Sequence, residues 1–229
     1  MSNLVWDKDY INKVIQGDCF EVLKGIPNKS VDLVLTDPPY NIKLGVNQHY
    51  HRRLDTHPDI YWDNKPEKEY QNFIKEMMKE LFRISQCIII TPGNGNQWLY
   101  PKPKWTMIWR KMNGMTITPL TRGRKICICN HEPILVYGQL DNPPVSDIID
   151  CPISMQPNAD GHPCPKPLKL FSHIIRFKDG LILDPFLGSG TTAVAAKQLG
   201  RRFIGIEISP KYVALAEKRL QFTENPLFI

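Results

Sequence analysis

Short, almost wholly apolar runs alternate along this chain with longer stretches whose apolar residues recur every three or four positions. Val14–Asp18, Val31–Thr36, Cys87–Thr91, Pro133–Tyr137, Leu181–Asp184 and Arg202–Ile208 belong to the first kind. Each predicts a strand, and the runs Val31–Thr36 and Cys87–Thr91 predict strands buried on both faces, as in a parallel sheet. The second kind begins after Pro66, where Tyr70, Phe73, Ile74, Met77 and Leu81 fall at helical spacing behind a proline suited to a helix start. Further helices are expected at Phe20–Gly25, at Pro165–Phe177, from Thr191 to Leu199 with Gly200 as its stop, and at Pro210–Phe222. Strands alternating with helices describe an α/β fold, a mostly parallel sheet with helices on both faces. No repeat or low-complexity tract interrupts it, and 229 residues suffice for one domain with a sizeable core. Residues 41–66 form a polar, His-rich loop of a length that is often functional.

Two of the expected strands end in unusual chemistry. Val31–Thr36 stops at Asp37-Pro38-Pro39-Tyr40. Two prolines cannot continue a strand's hydrogen-bond ladder, so the chain must leave the sheet there, stiffened and with carbonyls free. A carboxylate and a rigid carbonyl can accept both N–H bonds of an exocyclic amino group, a poor nucleophile because its lone pair is delocalised into the ring. Drawing that nitrogen towards a tetrahedral geometry returns the lone pair, and a neighbouring aromatic ring can stack on a base taken out of its helix. The isolated tetrapeptide is equally compatible with a strand-ending turn around a buried tyrosine. The other ending is Asp184-Pro-Phe-Leu-Gly-Ser-Gly-Thr-Thr192, between a strand and a helix. Gly188 and Gly190 allow a tight turn and close approach of a ligand. Glu207 follows about 20 residues on at the next strand end, placed to accept the hydroxyls of a ribose. A nucleotide-phosphate loop would need a lysine where Gly190 stands. The pocket is read as one for an adenosine-like ligand.

Charge adds a partner. The net charge is +6, and its distribution matters more than its size. Between Glu80 and Glu132 there is no acidic residue, while Arg83, Lys102, Lys104, Arg110, Lys111, Arg122, Arg124 and Lys125 all fall there, interleaved with Trp98, Tyr100, Trp105 and Trp109. A solvated face normally mixes signs; a one-sign stretch with aromatic residues reads as a phosphate-binding surface. No apolar run approaches the roughly 18 residues of a spanning helix, and the N-terminus lacks a secretory layout. A cytoplasmic protein with six reduced cysteines is therefore expected. Cys127, Cys129 and His131 alternate as strand residues do; buried thiols are preferred to a metal corner, and no metal site is expected.

Asp37–Tyr40 together with Asp184–Thr192 resembles the DNA methyltransferases that act on amino groups to make N6-methyladenine or N4-methylcytosine. The motif order, catalytic before cofactor, is similar to that of the permuted β group of the family. Gly17-Asp18, Trp62-Asp63, His131-Glu132-Pro133-Ile134-Leu135 and His162-Pro163 with Lys166-Pro167 extend the resemblance over most of the chain. It implies a Rossmann-like seven-stranded sheet with one antiparallel strand. It implies S-adenosyl-L-methionine as cofactor, held by Asp18, Lys166, Asp184, Phe186, Gly188, Gly190, Thr191 and Glu207, with Phe186 near the methionine part. The catalytic loop would be Asp37, Pro38, Pro39 and Tyr40, and double-stranded DNA the partner, held by Lys102, Lys104, Arg110, Lys111, Arg122, Arg124 and Lys125. Asp37, rather than Ser, points to adenine. An N4-cytosine enzyme, a weaker RNA reading and a DNA-binding relic of the fold without activity remain alternatives. A protein-glutamine methyltransferase usually carries Asn at the place of Asp37, by the same resemblance. No separate recognition domain fits in this length, so sequence reading is expected from a short basic insert at residues 93 to 130. A homodimer and a restriction partner are left open.

Overall fold

In the computed structural model of the chain, residues 6–41, 65–113, 116–119, 126–153 and 166–224 are described, with backbone alone for 116–119 and 126–129. The expected strands appear as β1 (Lys13–Gln16), β2 (Leu33–Thr36), β3 (Ile88–Ile90), β7 (His131–Tyr137), β9 (Ile182–Asp184) and β10 (Phe203–Glu207). β4 (Trp105–Arg110) and β8 (Ile148–Asp150), not anticipated from the sequence, join them, and a separate hairpin pairs an unanticipated β5 (Thr116–Pro119) with β6 (Ile126–Cys129), where the alternation of Cys127 and Cys129 points to a strand. The main sheet runs β1-β10-β9-β2-β3-β7-β4-β8. Of its strands only β7 is antiparallel, to both of its neighbours. The sheet thus has eight strands, one more than the resemblance implied, with the short β8 paired in parallel to β4 at the edge.

Period-two alternation sends successive strand side chains to opposite faces, and both faces are covered. Val34, Ile88, Ile90, Ile204 and Ile206 lie in one core with α1 (Cys19–Leu23) and α2 (Glu67–Ile84). Leu33, Leu35, Ile89, Ile182 and Phe203 lie in a second core with α3 (Leu168–Ile175), α4 (Thr191–Gln198) and α5 (Pro210–Gln221). Burial of each such side chain contributes about 1.5–3 kcal/mol, which is why these strands are apolar throughout. β4 was hidden because only Met107 and Trp109 of its six residues are buried; its exposed Trp105 and Arg110 obscure the alternation. The supposed insert at residues 93 to 130 therefore contains a strand of the main sheet.

Helix α3 starts at Leu168, with Pro167 as its cap, rather than at Pro165. A residue preceding proline is pushed out of helical geometry, so Lys166 stays outside the helix.

β2 and β9 are neighbours, and the chain leaves them in opposite directions. From β2 it passes through α2 on one face to β3; from β9 it passes through α4 on the other face to β10. Such a reversal opens a crevice at the carboxyl ends of the two strands, where open α/β sheets bind ligands. The Asp37 loop and the glycine turn are its two walls.

Candidate active site

The groups that hydrogen-bond Asp37 come from three places: its own loop, the end of β3 and the segment leading into α3. Its Oδ1 accepts from the Thr91 hydroxyl, just beyond β3, at 2.6 Å, and from the Tyr40 hydroxyl. Its Oδ2 accepts from Lys166 Nζ at 2.6 Å, and the same ammonium lies 2.7 Å from Tyr40 Oη. The loop backbone is anchored separately. Tyr70 of α2 donates to the Pro39 carbonyl at 2.7 Å and Asn96 to the Tyr40 carbonyl at 2.5 Å. Among the described residues the Pro38 carbonyl, which precedes both, takes no such bond. Gly93, at φ +71°, lies close against the Tyr40 ring; a Cβ there would come within 3.3 Å of three ring carbons. Burial, and then the Asp37 charge, hold the Tyr40 phenol well above its ordinary pKa, so it donates rather than ionises.

The second wall is tied to the first. Thr36 Oγ1, at the end of β2, donates to Asp184 Oδ1 at 2.7 Å. Asp184 also accepts from Thr192 Oγ1 and, at 3.0 Å, from the Phe186 backbone N–H. It is buried beneath the turn, so its bonds shape the turn from within. Glu207 lies at the other side: its Oε2 accepts from Gly188 N–H and its Oε1 from Ser209 N–H, each at 2.8 Å. Gly188 sits at φ +54°. Gly190, at φ +89°, faces α5, where a Cβ would meet Ala216 Cβ at 2.8 Å, so close packing of that helix requires glycine here. Thr191 and Ser189 are bonded by Arg219 of the same helix. Asp18 caps α1 through Oδ1, accepting from Phe20 N–H at 2.9 Å. Phe186 packs edge-on against Phe73 of α2, 5.8 Å between centroids.

Burial pushes the Asp184 carboxyl up to about 6 despite its three donors. The folded state then holds a proton that the unfolded chain, at 3.8, has released. Stability from this group is greatest below pH 4 and falls as pH rises towards 6, by about 3 kcal/mol at most for a two-unit shift. Urea unfolding of the wild type and Asp184→Asn checks this. The stability of the wild type relative to the variant should decline between pH 4.5 and pH 7, and a constant difference would exclude it.

A family model described as DNA methylase, for N6 and N4 enzymes, matches residues 105–218. The type II methyltransferase M.HinfI of Haemophilus influenzae is 29% identical over 95% of this chain and 71% of its own length. Among solved structures, the DNA modification methylase TTHA0409 of Thermus thermophilus, complexed with S-adenosyl-L-methionine, superposes with a TM-score of 0.61 at 25% identity, covering 92% of this chain and 94% of that one. The cytosine-N4-specific PvuII DNA methyltransferase shares the fold, with a TM-score of 0.65 at 19% identity over 93% and 87% of the two chains. The chain belongs to the DNA amino-methyltransferase family. Its cofactor is S-adenosyl-L-methionine, and its reaction is methylation of an amino group in DNA.

The expected DNA-facing residues of this methyltransferase separate into groups. Lys102 and Lys104 are exposed, beside Trp98 and Trp105 at 82% and 60% exposure. Arg110 is exposed but forms a two-pronged pair with Asp150, at 2.7 and 2.6 Å. Lys111 is not on an open face: it is buried and paired with Glu132 at 2.5 Å. Arg83 is tied to the carbonyls of Leu23 and Ile26. Arg122, Arg124, Lys125, the 42–64 loop with Trp62-Asp63, and His162-Pro163 lie outside the described residues, as do the side chains of Cys127 and Cys129. Among the described residues no helix is long and apolar enough to cross a membrane. Sequence reasoning missed Thr36, Thr91, Asn96 and Glu132. Thr36 and Thr91 stand at strand ends, Glu132 near the start of β7 and Asn96 in the loop after β3; each is a single polar residue whose partner is distant in the sequence, so only the fold reveals it.

Proposed function

We propose that this methyltransferase modifies N6 of adenine, on a nucleotide swung out of duplex DNA, with Asp37 and the Pro38 carbonyl as acceptors of the two amino hydrogens. The observation that carries the reading is the 2.7 Å bond from Thr36 to Asp184. It joins the two loops at their bases, so an amino group held by Asp37 faces whatever the glycine turn holds. The preference for adenine rests on Asp37 itself, by family resemblance.

The residues around the turn suit the cofactor. The Glu207 oxygens take the Gly188 and Ser209 backbone N–H groups, and a carboxylate at a strand end is the acceptor that ribose hydroxyls require. Beside it the Ser209 hydroxyl is buried with no hydrogen-bond partner among the described residues, a polar group that a ligand can satisfy. Glu207, Asp18 and the Gly188 backbone would hold the nucleoside part, and Phe186 would pack near the methionine part. Gly190, Thr191 and Asp184 support the turn from behind. Bound there, the cofactor supplies an electrophilic methyl carbon.

Asp37 and the Pro38 carbonyl orient the target nitrogen; neither forms a bond to carbon. With Gly93 against its ring, Tyr40 can offer the opposite face to the base. The rigidity given by Pro38, Pro39, Tyr70 and Asn96 means that little reorganisation is needed as the base arrives, and positioning supplies most of the acceleration. Residues 93–130, outside β4, are the proposed DNA-reading segment, with Lys102 and Lys104 on phosphates; Arg122, Arg124 and Lys125, outside the described residues, are proposed as further phosphate contacts.

Sequencing DNA from cells expressing the chain, with detection of modified bases, tests the reading: N6-methyladenine at a short fixed site is expected. N4-methylcytosine at such a site would replace adenine with cytosine, and DNA binding without modification would indicate the inactive relic. The Lys102→Ala, Lys104→Ala double variant should bind DNA more weakly, with the slope of log affinity against log salt shallower by about two. An unchanged slope, measured by fluorescence anisotropy, would remove these lysines from the phosphate contacts.

A further inference from the structure

Four charged side chains of alternating sign run from the floor of the insert to the catalytic loop. Lys111, just beyond β4, pairs with Glu132 Oε1 at 2.5 Å; Glu132 Oε2 lies 3.8 Å from Lys166 Nζ; and Lys166 Nζ lies 2.6 Å from Asp37 Oδ2. Lys111, Glu132 and Lys166 side chains are 7%, 14% and 9% exposed, so water screens these charges little. Two features of the row do not fit a static scaffold. Asp37 Oδ2, the oxygen nearer to the ammonium, is occupied by a cation in a loop that must receive an amino N–H. Glu132 Oε2 is buried with no hydrogen-bond partner among the described residues, although a cation stands just beyond bonding range. Leaving such an oxygen unpaired is costly.

The two features answer one another. A shift of about 1 Å brings Lys166 Nζ into hydrogen-bond range of Glu132 Oε2. Its flexible four-carbon stem permits this while Pro167 keeps the backbone still. We propose that Glu132 is a positioning residue for the methyl transfer: it receives the Lys166 ammonium when the target amino group takes Asp37 Oδ2. The pocket thereby exchanges one donor on Asp37 for another without stranding a buried charge. Lys111, holding the other oxygen of Glu132, keeps that carboxylate aimed. This rests on the reading of Asp37 as acceptor of the amino hydrogen.

The test is single-turnover transfer from labelled S-adenosylmethionine, at saturating concentration, to unmethylated genomic DNA. Glu132→Gln should slow transfer by about ten- to a hundredfold, with the concentration for half-saturation by S-adenosylmethionine unchanged. Adding Lys166→Met to that variant removes the group that has nowhere to withdraw, and transfer should recover by at least half of the logarithmic loss. A purely structural role for Glu132 would show no such recovery. Should Glu132→Gln not fold, the Lys111→Met, Glu132→Gln protein, which removes both charges of the pair, takes its place in the comparison. A rate within twofold of wild type in the Glu132 variant, or a second substitution that restores nothing, overturns the proposal alone. No label transferred by the wild-type chain overturns it together with the function on which it rests.

Discussion

Asp37→Ala should leave a folded protein that binds S-adenosylmethionine and transfers almost no methyl to DNA. Its carboxylate is the only acidic group in the catalytic loop, and the nitrogen it would orient has no usable lone pair until its hydrogens are held. Loss of one preorganised electrostatic contact of this kind costs about 10²–10³ in rate. Because the Pro38 carbonyl alone cannot reshape the nitrogen, the upper end or beyond is expected. The fold should survive: Tyr70 and Asn96 still hold the Pro39 and Tyr40 carbonyls, and Lys166 retains Glu132 within 3.8 Å. Glu207 and the glycine turn lie on other strands, so cofactor affinity should change little. Calorimetric titration with S-adenosylmethionine and a label-transfer assay measure the two quantities together. Transfer within tenfold of wild type would contradict the assigned role.

The largest expected loss of stability near the site follows Gly190→Ala. At φ +89° an alanine pays for a left-handed backbone, about 1–2 kcal/mol. Its Cβ would then meet Ala216 Cβ at 2.8 Å and Cα at 3.0 Å. Neither atom can rotate away, so α5 must move, at a further cost of about 1–3 kcal/mol. The sum, about 2–5 kcal/mol, corresponds to a fall in Tm of roughly 5–15 °C for a domain of this size. Thermal unfolding without ligand measures it. A loss below 1 kcal/mol would mean that α5 is loosely seated. Since Arg219 of α5 bonds Ser189 and Thr191, displacement of that helix should also weaken cofactor binding.

What was legible in the sequence follows from burial. β2, β3, β9 and β10 are covered on both faces, which imposes unbroken apolar runs, and the prolines and glycines that end them mark the crevice. β4 and β8 sit at the sheet's far edge, where burial is partial; β4 also carries exposed basic and aromatic residues, and β8 is only three residues long with one of them buried, so both went unseen. Within the site, Asp37–Tyr40 and Asp184–Glu207 were readable because each motif is local. Lys111 was misjudged because its partner Glu132 is 21 positions away and reaches it only through the pairing of β4 with β7. Lys166 was assigned to the cofactor by resemblance, and the fold adds bonds from it to Asp37 and Tyr40 that the sequence did not reveal. Gly190 was legible as a glycine position, but its cause, contact with Ala216, belongs to a helix that the chain reaches only later.

The neighbouring placement of β2 and β9 has an evolutionary consequence. Nothing in the crevice depends on which wall the ribosome makes first, because the two halves meet through side chains and hydrogen bonds rather than through a covalent link between their loops. Gene rearrangements that move the start of the reading frame from one exposed connection to another can therefore shuffle motif order without altering the chemistry. A permuted order is then a record of ancestry, with no bearing on which nitrogen is methylated.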